Sequence, residues 1–373
     1  MNYYTLPDGP RLAWWTWIVG FWGLVAVWLV GQMVFGAGIF IAGGIADPEA
    51  MNQLMDASLA ASAEGSDFTN LLAMGGSGVA LLSLLIWLFG GGENWAKWTA
   101  LAGSVAGLAG FGLLLGNNAE MAEANAIMMR MVAATPAAYM FMLLTFAAAI
   151  AGAWIVWKVL HALPLQRLHT AVGRFRWSRA IWSFLLMWGV LALYALYAAL
   201  FTDNPPVNVF DPGKFLGFAV VSILLLPVQS AAEEIAVRGY MNIGLIQILK
   251  NKWFVFVLTS AAFMALHLAN PEAVEGGKQG NLAIVMSGYF FFGFAACLMV
   301  LIDDGLESAI GVHAANNTFA AIFVNYENSV LPTPSIWQVR PDATGDALST
   351  ILILSIVLGL LWITRPGRRG APA

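Results

Sequence analysis

From just after Arg11 to about Gly44 the chain carries no ionisable side chain, and the later sequence holds several further stretches nearly as apolar. A bilayer core about 30 Å thick is crossed by roughly 20 apolar helical residues, so stretches of this length are candidate membrane spans. Unpaired backbone N–H and C=O groups are costly in hydrocarbon, so continuous apolar runs must be helices whose hydrogen bonds close internally; the alternation of a transmembrane barrel is absent. Composition agrees: 60% of the 373 residues are hydrophobic and 10% charged, with a mean hydropathy of +0.76. The expected fold is all-α, a polytopic transmembrane helix bundle of an integral membrane protein. The first run is far longer than the core of a secretory signal peptide and reads as an uncleaved anchor.

Candidate spans lie near residues 12–44, 69–89, 95–116, 135–157, 180–201, 214–238, 253–269, 281–302, 306–325 and 348–364. Loops rich in Lys and Arg stay in the cytoplasm. Arg11, Lys97, the group Lys158, Arg167, Arg174, Arg176 and Arg179, then Lys250 and Lys252, and finally Arg365, Arg368 and Arg369 alternate across successive spans. About ten spans with both termini cytoplasmic satisfy them. Acidic residues Asp47, Glu49, Asp56, Glu64, Asp67, Glu120, Glu123, Asp203, Asp211, Glu272 and Glu275 fall on the other side, where Arg130, Lys214, Lys278 and Arg340 break the pattern. The sequence divides into a five-span region over 1–202, a core over 203–330, and a last loop, span and basic tail over 331–373.

The net charge of −4 suggests no nucleic-acid partner. Cys297 stands alone inside an apolar run and reads as packing. Gly103, Gly107, Gly112 and Gly116 recur at helical spacing and suit close helix approach. Trp14, Trp15 and Trp17 are expected at the membrane interface. The glycosylation-type triplet Asn316–Thr318 sits in an apolar run and is discounted. His161 and His169, in the basic loop, are expected to be solvated.

Ionisable groups within a span are the informative ones, since each costs about 2.5 to 3.5 kcal/mol near a helix centre. Glu234 and Arg238 are four apart on the sixth span and can pair on one helix face. Glu233 is turned about 100° from Glu234 and faces Val237 at its own i+4 position. It therefore reads as having no in-helix partner and as free to face a cavity and serve as a general base. His267 comes from the seventh span. His313 and Asn317, four apart on the ninth, project side by side, with Asn316 pointing elsewhere. Together these residues offer a base, an imidazole to hold a water or a metal, and two groups able to stabilise an oxyanion. That set suffices for peptide hydrolysis.

The segments Glu233-Glu234-xxx-Arg238-Gly239, Phe263-xxx-His267 and His313-xxx-Asn317 resemble the EExxxRG, FxxxH and HxxxN or HxxxD motifs of the CPBP family, the intramembrane CAAX-protease and bacteriocin-processing group. Asn270 after the first histidine motif fits as well. The resemblance covers about residues 214 to 325. It implies an intramembrane endopeptidase in which Glu233 and His267 activate water, His313 and Asn317 form the oxyanion site, and Glu234 and Arg238 support them. Val237 departs from the aromatic often found before the Arg-Gly pair. The implied substrate is a membrane-associated or lipidated peptide, and the implied location a prokaryotic plasma membrane.

Zinc held by Glu233, His267 and His313 would form a known catalytic type, and a metal-free glutamate mechanism uses the same residues; the sequence leaves both open. Two other functions stand beside hydrolysis: a non-catalytic scaffold or immunity-type peptide binder, and a proton-coupled transporter. At 1.5 Å per residue His267 lies about 21 Å, and His313 about 10 Å, from the cytoplasmic starts of their spans. A shared site requires them to meet at one depth.

Overall fold

The computed structural model describes residues 3–6, 10–63, 118–268, 270–326 and 329–365, with isolated positions 99 and 103. The candidate spans near 69–89 and 95–116, Gly107, Gly112, Gly116 and the basic tail beyond residue 365 lie outside the described residues. The chain forms two compact units, Pro7–Pro164 and Met1–Leu6 with Leu165–Ala373.

In the unit Pro7–Pro164, α1 (Trp14–Ala46) is followed by α2 (Pro48–Ala63), α3 (Asn118–Ala134) and α4 (Pro136–Val159). Thr135 caps α4 by accepting from the Ala137 N–H, with Pro136 in the first turn where its missing donor costs nothing. Small residues let α1 and α4 approach closely: a Cβ on Gly31 would lie 2.2 Å from Ala148 Cβ, and one on Gly152 2.9 Å from the Leu24 carbonyl oxygen. Arg130, an exception to the charge pattern, is neutralised by Asp47, its Nε 2.7 Å from Oδ2.

Two expectations fail here. Trp14 is exposed, but Trp15 and Trp17 are buried, so only the first suits an interface. His161 is buried too, stacked on Trp17 with centroids 4.1 Å apart. Its Nδ1 meets the Arg11 carbonyl at 3.0 Å, which supplies the partner that burial of a polar ring requires. Burial pushes its pKa down to about 4.

The second unit contains α5 (Trp177–Phe201), α6 (Pro212–Glu234), a π-helical turn (Ile235–Met241), α7 (Asn242–Leu249), α8 (Lys252–Leu266), α9 (Pro271–Lys278), α10 (Leu282–Asp303), α11 (Glu307–Ile322) and α12 (Ala343–Ile363). Asp211 caps α6 through the Gly213 N–H, ahead of Pro212. Lys250 in the left-handed region ends α7, and the Asn251 side chain accepts from Trp253 and Phe254 to start α8. Three short strands, β1 (Val207–Asn208), β2 (Val324–Tyr326) and β3 (Trp337–Val339), form a sheet in the order β1-β3-β2. β3 pairs antiparallel with β1 and parallel with β2. This sheet is a small addition to a helical bundle.

Among the described residues six helices are long and apolar enough to span a membrane: α1, α4, α5, the continuous Pro212–Leu249, α10 and α12. Leu185, Leu193, Leu196 and Leu200 on α5 and Leu216, Ile223 and Leu224 on α6 are exposed, a surface suited to lipid rather than water. The protein is an integral membrane protein of helical-bundle class. The candidate span 253–269 does not run straight: α8 ends at Leu266 and α9 leaves it at 85°. The Asn270-Pro271 step disfavours helix before the proline and opens a new one after it. The candidate 306–325 is α11, at 16 residues about 24 Å long, short of a bilayer core. It packs against α5, α6 and α10, and most of its side chains are buried.

Close approach brings these helices to the site. A Cβ on Gly311 would lie 2.3 Å from the Ala180 carbonyl oxygen of α5, and one on Gly293 of α10 3.1 Å from Ser260 Cα of α8. At one end Arg179 grips Asp303 at 3.0 Å, and Arg176 pairs with Glu307 at 2.9 Å. Tyr3, Tyr4 and Leu6 are buried in this unit, where Arg167 donates to the Thr5 carbonyl at 2.8 Å and Gln247 to that of Tyr4 at 3.0 Å.

Candidate active site

Glu233 and Glu234 end α6, and the helical turn separates them. Glu234 is fully buried; its Oε1 accepts from Arg238 at 3.1 Å and from His313 Nδ1 at 2.7 Å. Arg238, on the π-helical turn, also donates to the Gly293 carbonyl at 3.2 Å and lies 4.3 Å from the centre of the Phe263 ring. The pair expected from the four-residue spacing is thus present, and it holds an imidazole and an aromatic ring besides. A buried carboxylate needs this much compensation to remain charged.

Glu233 keeps 21% of its side-chain surface against 0% for Glu234, so only the first has access to anything from outside. Its Oε2 makes no hydrogen bond among the described residues and lies 3.7 Å from His313 Nε2. Its Oε1 accepts from Gln229 Nε2, which corrects the expectation of no in-helix partner. Residues four apart share a face in both directions along a helix, and the partner stands at i−4 rather than i+4. Gln229 also accepts from Asn317 Nδ2 at 2.9 Å. It bridges the carboxylate to the amide of another helix, a role its place in an apolar run did not announce.

His313 and Asn317 do share one face of α11. The Nδ1–H of His313 is committed to Glu234, so neutral His313 presents a lone pair at Nε2 and donates there only as imidazolium. Asn317 spends one amide hydrogen on Gln229 and approaches Ser230 Oγ at 3.5 Å. Asn316 does not point away from the group: its Nδ2 donates to Asn317 Oδ1 at 3.2 Å.

His267 stands where α8 ends. Its Nδ1 donates to the Phe263 carbonyl at 2.7 Å, leaving Nε2 as an acceptor. Its ring packs 4.5 Å from Phe263, and the same Phe263 ring meets His313 edge-on at 6.2 Å. The two imidazoles therefore reach one level despite their unequal depths from the helix starts, and Glu233 and His313 both act on His267 electrostatically. Cys297 is buried and accepts from Asn242 at 3.3 Å, a packing role.

Two imidazole nitrogens and a carboxylate are chemically suitable zinc donors. Among the described residues, however, no three His, Cys, Asp or Glu side chains converge as metal ligands. Glu233, His267 and His313 as placed do not make that donor set. Each imidazole keeps Nε2 free with its Nδ1–H held by Glu234 or by the Phe263 carbonyl, as in ligating histidines generally, so it is the placement of the three groups and not their hydrogen bonding that departs from a zinc site.

Residues 212–319 match the family model described as type II CAAX prenyl endopeptidase Rce1-like. The match contains all three motifs, and the resemblance read from them holds for that segment. The chain is also similar to the uncharacterized protein YyaK of Bacillus subtilis strain 168, 27% identical over 218 residues, covering 57% of this chain and 71% of that protein. No solved structure matches.

Proposed function

Starting from the Rce1-like segment at residues 212–319, we propose that this protein is an intramembrane endopeptidase that hydrolyses a peptide bond with a water activated by Glu233. The observation that carries the reading is the division of labour between adjacent glutamates. Each keeps one oxygen without a hydrogen bond among the described residues, but Glu234 is fully buried with its other oxygen bound to Arg238 and His313, whereas Glu233 keeps 21% of its side-chain surface, has only the neutral Gln229 as hydrogen-bond partner, and holds Oε2 3.7 Å from an imidazole nitrogen.

In this mechanism Glu233 Oε2 takes a proton from water, with His267 Nε2 accepting a hydrogen bond from the same water. The water oxygen attacks the scissile carbonyl carbon. The side-chain amide of Asn317 donates to the oxyanion, with His313 beside it on the same face of α11. Collapse breaks the C–N bond, and Glu233 returns its proton to the leaving amine. Glu234 and Arg238 hold His313 in orientation. The substrate class is a membrane-associated or lipidated peptide, the compartment a prokaryotic plasma membrane, and no nucleic acid takes part.

The test compares peptide termini in membranes of cells making wild-type or Glu233→Ala protein at equal levels, followed by cleavage of the responding peptide in proteoliposomes. Loss of a general base should slow cleavage about 10²- to 10⁴-fold. A cellular phenotype that survives Glu233→Ala would identify a peptide-binding scaffold. Proton-coupled uptake abolished by Glu233→Gln, with no cleavage, would identify a transporter.

A further inference from the structure

His267 closes α8 with φ −100° and ψ 3°, and the chain then turns sharply into α9. An imidazole at a broken helix end has no following turn to confine it, yet general-base chemistry requires its nitrogen to be placed closely. The confinement comes from elsewhere. Besides Phe263, the Tyr289 ring of α10 stacks on His267 with centroids 4.3 Å apart and planes 27° from parallel.

Tyr289 is itself tethered. Its hydroxyl donates to Glu272 Oε1, and Asn270 Nδ2 donates to the hydroxyl oxygen at 2.9 Å and to Glu272 Oε1 at 3.3 Å. Asn270 and Glu272 lie immediately beyond the helix break, so the residues just C-terminal to His267 reach across to α10 and pull Tyr289 against it. Glu272 also acts electrostatically on His267.

Resting on the hydrolytic reading, in which His267 helps to hold the attacking water, we propose that Tyr289, anchored by Glu272 and Asn270, is a positioning residue for the His267 imidazole. The ring supplies the stacking surface, and the hydroxyl bonds set where that surface stands. The arrangement explains why a carboxylate and two hydrogen-bonding side chains are gathered beside a histidine without touching the reacting centre.

The experiment uses the full chain in proteoliposomes. Diethyl pyrocarbonate modifies neutral imidazoles, and peptide mapping gives the rate at each histidine. Tyr289→Leu, which removes the ring, should raise the rate at His267 about threefold to tenfold, the change in population expected for the loss of one ring–ring contact. The rate at His169 should not move. Tyr289→Phe and Glu272→Ala, which keep the ring but cut its tether, should give smaller increases. In cleavage assays Tyr289→Leu should lower kcat about tenfold to a hundredfold with KM little changed, and Tyr289→Phe should restore most of it.

An unchanged His267 rate in Tyr289→Leu, or an equal rise at all histidines, overturns the proposal. The modification rate does not require hydrolysis. A wild-type chain that cleaves no peptide would therefore remove the protease reading while leaving the placement of His267 by Tyr289 to be judged by its own result.

Discussion

The side-chain amide of Asn317 donates to Gln229 Oε1 at 2.9 Å, and Gln229 in turn donates to Glu233. One glutamine thus fixes both the proposed base on α6 and the proposed oxyanion donor on α11. Gln229→Met keeps the length of the side chain and removes both bonds. The expected result is a fall in kcat of about tenfold to a hundredfold with little change in KM. Wild-type cleavage by this variant would show that the amide bridge has no part in the reaction.

The Glu234–Arg238 pair should behave asymmetrically toward single and double substitution. Arg238→Met leaves a buried carboxylate with His313 as its remaining partner and should cost about 3 to 5 kcal/mol. Glu234→Gln combined with Arg238→Met removes the charge from both and should fall nearer to wild type, because the glutamine carbonyl can still accept from His313. Denaturant unfolding in mixed micelles reads the difference; equal losses in the two proteins would refute it.

The glycines at helix contacts should rank by what a methyl group would strike. At Gly311 a Cβ would meet backbone, the Ala180 oxygen, at 2.3 Å; at Gly293 it would meet Ser260 Cα at 3.1 Å and Arg238 at 3.3 Å; at Gly189 nothing lies within 4 Å. Gly293→Ala should cost about 1 to 3 kcal/mol and Gly311→Ala more. Gly189→Ala should gain about 0.5 to 1 kcal/mol, since alanine loses less entropy in a helix. Melting temperatures in detergent would check the order.

Stability of the unit Pro7–Pro164 should decline on mild acidification through His161. Its pKa is 6.5 when unfolded and about 4 when buried, so between those values the unfolded chain binds more protons. The neutral ring's contribution is complete above pH 6.5 and is lost as pH falls toward 4, about 3 kcal/mol in all. His161→Phe should flatten this part of the profile. A wild-type profile already flat between pH 7 and 4.5 would contradict the assignment.

Features carried by contiguous residues were legible in the sequence. Long uncharged runs marked α1, α4, α5, α10 and α12, and four-residue spacing correctly paired Glu234 with Arg238 and placed His313 beside Asn317. Relations that depend on a second helix were not. Forward from Glu233 the helix offers only Val237, and nothing local distinguishes Gln229, one turn back, from an ordinary polar residue in a span. Tyr289 is hidden in the run Ser287-Gly-Tyr-Phe-Phe-Phe292, where hydropathy reads only an apolar helix. The break after His267 did have a signal, Asn270-Pro271, which the continuity of apolar residues outweighed. His161 followed the charge of its loop in the sequence, whereas its neighbour in space is Trp17.

The π-helical turn at Ile235–Met241 adds an extra residue to the helical circuit, displacing the downstream helix by about 100° relative to a regular α-helix. The placing of the proposed base upstream and the anchoring of α7 downstream are thereby set in different phases. Loss of one residue between them, even a chemically silent one, would swing Glu233 away from His313 or α7 away from its seat. The number of residues in this stretch is thus as much a determinant of the site as their identity.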